Sequence, residues 1–193
     1  MAAPDWLALG LGNPGEEYEG TRHNIGFEVI DLLAERYGVK LTQRLPSLVY
    51  GRALVAGTET ILGKPRTFMN LSGAAAREAA RQWRLSPQQF IVILDDVALP
   101  LGRIRVRKRG SDGGHKGLRS VIEALGSQEI PRVRVGIGQP RGDGMVDYVL
   151  GRFSRSEWPL VAEAIERAAD AVETIIRDGV EVAMNRFNPR GAG

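Results

Sequence analysis

The chain has 193 residues, 43% hydrophobic and 25% charged, with no cysteine and only two histidines. This is the profile of one soluble globular domain. It excludes disulfides, thiol nucleophiles, thiolate zinc sites and cysteine-held iron–sulfur clusters, and no apolar run reaches the roughly 18 to 20 residues that cross a bilayer. The formal charge of +3 is unevenly spread: residues 101–155 carry 12 basic and 5 acidic side chains, and 22 of the 26 basic residues in the chain are arginine. Arginine suits phosphate, because its guanidinium fork binds phosphate oxygens in pairs; the plainer reading is a solvated basic strand. The start, Met-Ala-Ala-Pro-Asp-Trp, lacks a basic segment followed by an apolar one, so a cytoplasmic location is expected.

Residues 6–12 form a short apolar run ending in Gly12-Asn13-Pro14-Gly15, a buried strand cut off by a tight loop. Helical spacing of Ile25, Val29, Leu32 and Leu33 follows, with Gly38 as its stop. Residues 48–56 and 60–62 read as two strands of a hairpin turning at Gly57. Residues 70–85 place Leu71, Ala75, Ala79 and Trp83 on one face of a helix that opens at Asn70 and ends at Ser86-Pro87. Residues 90–94 are continuously apolar and stop at Asp95-Asp96, the pattern of a central strand delivering carboxylates to its carboxyl end. Successive strand side chains alternate faces, so only one of these aspartates joins any one cluster. Residues 103–109 alternate Ile104 and Val106 with arginines, 117–125 is a helix, 133–137 a strand, and 154–178 a long helix with a Ser154/Glu157 capping box. The chain from Phe187 to Gly193 is expected to be loose. Strands alternating with helices around a hairpin predict a single three-layer α/β/α domain, residues 1–193, with a mixed, twisted central sheet.

Gly10-Leu11-Gly12-Asn13-Pro14-Gly15 has the glycine spacing of a dinucleotide-binding turn. No helix opens within it, however, and the next strand ends in no acid for a ribose, so no cofactor is expected. The segment from Gly110 to Gly117 resembles a phosphate loop, but His115 stands where the second glycine belongs and Gly117 where a magnesium-binding hydroxyl must be. What survives is a glycine-rich turn feeding a helix, with Lys116 and Arg119 suited to an anion. His23 lies close to the end of the first strand and Asp95 at the end of another. In open α/β sheets such strand ends form the ligand crevice, and a carboxylate on one imidazole nitrogen raises the basicity of the other. Asn13 and Asn70 offer amides that can donate to a carbonyl or an oxyanion, or else serve as turn and cap residues. With no Gly-x-Ser-x-Gly elbow and no thiol, water is the expected attacker. The residues converge on hydrolysis by a water that a His–Asp pair activates, beside an arginine surface.

In their order and spacing, Gly10-Leu-Gly-Asn-Pro-Gly15, Tyr18, Thr21-Arg-His-Asn24, Thr67-Phe-Met-Asn-Leu-Ser-Gly73, Asp95-Asp96 with Leu99-Pro-Leu-Gly102, Gly113-Gly-His115, Arg134-Val-Gly-Ile-Gly138 and Tyr148-Val-Leu-Gly151 resemble the bacterial peptidyl-tRNA hydrolase family over nearly the whole chain. The resemblance implies a monomeric esterase, independent of metals and other cofactors, that cuts peptidyl-tRNA between the nascent peptide and the 3′ ribose. It makes His23 the general base, Asp95 its orienting partner, and Asn13 and Asn70 the amides that position the peptide or stabilise the oxyanion. Tyr18, Phe68, Met69, His115 and Lys116 become substrate contacts, and Arg105, Arg107, Lys108 and Arg134 tRNA contacts. Most of the family follows Gly-Gly-His with asparagine, whereas this chain has Lys116; an ammonium accepts no hydrogen bond but can donate one or grip phosphate. A non-catalytic RNA-binding relative is the competing reading, against which the joint presence of His23, Asp95, Asn13 and Asn70 argues.

Overall fold

The computed structural model describes residues 2–140, 142 and 144–188. Strands β1 (Trp6–Gly10), β2 (Gln43–Leu45), β3 (Leu48–Val55), β4 (Thr58–Pro65), β5 (Phe90–Asp96), β6 (Ile104–Arg107) and β7 (Arg132–Gly136) form one sheet in the order β2-β3-β4-β1-β5-β7-β6. β1 runs parallel to β4 and β5, and β5 parallel to β7; the pairs β2–β3, β3–β4 and β6–β7 are antiparallel. Helices α2 (Gly73–Trp83) and α3 (Lys116–Leu125) cover one face, and α1 (Ile25–Arg36), α5 (Trp158–Asp178) and α6 (Val180–Phe187) the other. A mixed sheet between two helical layers is the expected α/β architecture.

The central strands read as continuous apolar runs because both of their faces are covered. In β5, Ile91 and Ile93 face α1 and α5, while Phe90, Val92 and Leu94 face α2 and α3. The hairpin forms as predicted, through Ala56 and Gly57, whose φ values of 50° and 77° match the backbone twist that a two-residue turn needs. The glycines at the end of β1 and the start of α1 serve packing. A Cβ on Gly10 would stand 2.2 Å from the Gly26 carbonyl oxygen, and one on Gly26 would stand 2.5 Å from the Ile93 oxygen and 2.6 Å from the Leu11 nitrogen. Thus α1 seats its first turn directly on the ends of β1 and β5, which brings the preceding His23 to the sheet's edge. Gly26→Ala would push backbone against backbone; we expect a stability loss of about 1–3 kcal/mol, read as a fall in Tm of roughly 2–4 °C per kcal/mol.

Several local expectations are corrected. The helix expected from Asn70 starts at Gly73, after a 3₁₀ turn (Met69–Leu71), so Leu71 is 55% exposed and does not share the buried face of Ala75 and Ala79. The Ser154/Glu157 capping box forms, with Ser154 N donating to Glu157 Oε1 at 2.7 Å and Glu157 N to Ser154 Oγ at 3.3 Å, but the regular helix begins only at Trp158. Of the tail expected to be loose, Phe187 closes α6, and the Asn188 amide pairs with both backbone groups of Val106; residues 189–193 lie outside the described residues. Strand β2 and helix α4 (Met145–Val149) have no counterpart in the sequence reading.

Candidate active site

The carboxyl ends of β1, β4 and β5 open into a cleft of about 610 Å³, lined by Asn13, His23, Met69, Asn70, Asp95, His115 and Lys116, by the loop 110–114, by Arg107, Arg132 and Arg134, and by apolar side chains of α4. Strands with neighbours on both sides end here, which is where ligands bind in open α/β sheets. Alternation along β5 sends its two carboxylates to different partners: Asp95 meets two imidazoles, and Asp96 pairs with Arg134 at 2.6 Å.

Asp95 is the hub. Its Oδ2 lies 2.7 Å from His23 Nδ1 and its Oδ1 2.8 Å from His115 Nε2. Burial opposes its ionisation most strongly, but the electrostatic attraction and hydrogen bonds of His115 and then His23 together outweigh it and bring its pKa from 3.8 down to about 2. An ionised carboxylate only accepts, so both ring nitrogens facing it carry protons. For His115 this is imposed twice, because its Nδ1 caps α3 by accepting from the amides of Gly117 and Leu118 at 3.1 and 3.2 Å. His23 therefore donates from Nδ1 and keeps the Nε2 lone pair. Its side chain is only 15% exposed.

Two imidazoles and a carboxylate whose ligand atoms lie within 4.8 Å of one another are also a donor set for a transition metal. The hydrogen bonding points elsewhere. The His115 proton is fixed on Nε2, the nitrogen a metal would need bare, and Nδ1 cannot take it over while it faces two amide donors.

Asn13 is 7% exposed and held on three sides. Asn24 accepts from its backbone nitrogen at 2.8 Å and donates to its carbonyl at 2.9 Å, while its own Oδ1 accepts from the Met69 amide at 2.7 Å. The pinned oxygen leaves Nδ2 as the donor available to the cleft. The Asn70 side chain is exposed and makes no hydrogen bond among the described residues. Arg22 ties the His23 turn to the other wall: it pairs with Glu157 at 3.0 Å and lies over the rings of Tyr148 and Phe153. The sequence reading gave neither Asn24 nor Arg22 a function; their signal was adjacency to His23 in Thr21-Arg-His-Asn24.

The protein-family model for peptidyl-tRNA hydrolase matches residues 7–192. The chain belongs to the peptidyl-tRNA hydrolase family. A peptidyl-tRNA hydrolase from Clostridium botulinum (strain Alaska E43 / Type E3) is 48% identical over 183 residues, which is 95% of each chain. That of Thermoanaerobacter sp. (strain X514) is 50% identical over 183 residues, covering 95% of this chain and 99% of its own. The crystal structure of peptidyl-tRNA hydrolase from Acinetobacter baumannii matches with a TM-score of 0.89 at 33% identity, over 97% of this chain and 96% of that one.

Within this member of the peptidyl-tRNA hydrolase family, the remaining residues singled out from sequence separate. Arg105 and Arg107 on β6 lie across from Arg134 and Arg132 on β7, which gathers four guanidinium groups on one sheet face. Arg107 has its pKa lowered by burial and then by Arg105 and Arg134. Arg132 is brought down to about 10 by burial and then by Arg134, and stays cationic at neutral pH. Lys108 alternates away from this face and pairs with Glu181 of α6 at 2.7 Å; the structure does not bring it to the cleft. Tyr18 and Phe68 stack edge-to-face at 6.1 Å outside the cleft lining, with Phe68 54% exposed. Met69 lines the cleft and is buried, and its amide holds Asn13. His115, expected as a substrate contact, spends both ring nitrogens inside the protein.

Proposed function

We infer that the chain hydrolyses the ester between a nascent peptide and the 3′ ribose of tRNA, recycling tRNA from prematurely released peptidyl-tRNA. The observation that carries this reading is the His23–Asp95 pair with a bare Nε2 at the cleft, in a chain of this family. His23 Nε2 takes a proton from water as the water oxygen bonds to the ester carbon. The resulting imidazolium is stabilised by the Asp95 carboxylate. Negative charge on the carbonyl oxygen is met by the Asn13 and Asn70 amides. Collapse breaks the bond to the 3′ oxygen, which takes the proton back from His23 and leaves as the ribose hydroxyl, while the peptide leaves as a carboxylate. Arg107 holds a tRNA phosphate, Arg105 and Arg134 add to the positive field around it, and Tyr18, Phe68 and Met69 flank the peptide's path.

His115 acts as a positioning residue, since it fixes Asp95 rather than touching substrate. The catalytic groups all come from one chain, which supports action as a monomer; we place the protein in the cytoplasm, where its substrate is made.

The test is to incubate the purified protein, treated with a chelator, with an N-blocked aminoacyl-tRNA and with the unblocked form. Release from the blocked form alone is expected. Binding without release would favour an RNA-binding role, and release from both a general esterase. In the same assay Asn70→Ala is expected to lower turnover about 10² to 10³-fold, as loss of one oxyanion donor does, whereas Arg107→Ala acts chiefly on KM.

A further inference from the structure

The cations lining the cleft are not equivalent. Arg134 is committed to Asp96 at 2.6 Å and Arg109 to Glu129 at 3.5 Å. Arg132, 2% exposed, spends its guanidinium on the carbonyls of Ile130, Ser111 and Gln128. Among the described residues, Arg107 and Lys116 are the two lining cations with neither a carboxylate nor a hydrogen-bond partner. They stand at opposite ends of one connection: Arg107 closes β6 and Lys116 opens α3. Lys116 follows His115, the residue that grips Asp95, so its backbone is held beside the reaction centre while its side chain lines the cleft. The next residue, Gly117, approaches Met69 so closely that a Cβ there would stand 2.4 Å from the sulfur. This contact fixes the backbone of Lys116 against the Met69-Asn70 wall.

We propose that Lys116 is the subsite for the phosphodiester nearest the reacting ester, the linkage between the last two nucleotides of the tRNA 3′ end. This rests on the proposed function and specifies how the substrate's end is held. An RNA strand that passes Arg107 and delivers its 3′ oxygen to His23 carries one negative charge per nucleotide, so its last phosphate arrives where Lys116 stands. The peptide carries no obligatory charge at that place. An exposed ammonium on a flexible stem is a point-charge partner for one phosphate.

The test is a double-mutant cycle on binding. A short single-stranded RNA with the sequence of the tRNA 3′ end is titrated, with its last linkage either a phosphodiester or a neutral methylphosphonate, against wild type, Lys116→Asn, Lys116→Arg and Arg107→Ala. Neutralising the linkage or replacing Lys116 by asparagine should each weaken binding roughly two- to fivefold, and the two together should cost no more than either alone. The slope of log Kd against log salt should fall by about 0.7 in Lys116→Asn, the share of one single-strand phosphate, and be kept in Lys116→Arg. The loss in Arg107→Ala should add to that of the neutral linkage. Additive losses for Lys116→Asn, or an unchanged salt slope, would overturn the subsite. Cleavage of N-blocked aminoacyl-tRNA by wild type is read separately, so coupling without cleavage would fault the proposed function and leave the phosphate contact standing.

Discussion

His23→Ala is expected to lower turnover of N-blocked aminoacyl-tRNA by about 10³-fold, within the 10² to 10⁴ range of a positioned general base, while tRNA binding persists because the arginine face is untouched. Single-turnover release of a labelled N-blocked amino acid, with binding measured on the same preparation, separates the two. The reaction needs a lone pair on Nε2, which His23 keeps because its Nδ1 donates to the ionised Asp95.

The legible parts of this molecule were those where one local rule dominates. The apolar run 90–94 could only be a strand covered on both faces, and its two terminal aspartates had to diverge; one reached the imidazoles and the other Arg134. The hairpin announced itself through Gly57. The helical stripe was carried too far back to Leu71, because periodicity does not register that the backbone turns as 3₁₀ until Ser72. Strand β2 has three residues and pairs only with β3, so it owes its existence to its neighbour rather than to its own pattern. Helix α4 is five residues long with no buried residue, too short for a stripe. At the site, family motifs marked His23, Asp95, Asn13 and Asn70, whereas the clamp of Asn24 on Asn13 depends on two loops meeting, which spacing along the chain does not encode. The resemblance made His115 a substrate contact, and only the folded chain shows its Nδ1 filled by the helix's own amides.

That filled nitrogen makes Asp95→Asn as damaging as loss of the base itself, despite a nearly unchanged shape. Asparagine offers one oxygen and one NH₂ where aspartate offers two acceptors. His115 can only donate from Nε2, so it claims the oxygen, and the NH₂ is left facing His23 Nδ1. His23 must then accept at Nδ1 and carry its proton on Nε2, the nitrogen that has to receive one from water. A wrong tautomer imposed in this way costs about 10⁴ in a serine-protease triad, and we expect 10³ to 10⁴ here, measured as kcat on N-blocked aminoacyl-tRNA. The double variant Asp95→Asn with His115→Leu removes the group that dictates the amide's orientation. The oxygen can then turn to His23, and turnover should rise above that of Asp95→Asn alone. Stability gives an independent reading of the same pair. The folded-state pKa of Asp95 lies below its ordinary value of 3.8, so its ionisation stabilises the fold above that value, and this contribution is lost as pH falls through about 2. Asp95→Asn lacks the titration, so the stability gap between wild type and variant, read by denaturant unfolding, should narrow as pH is lowered through this window.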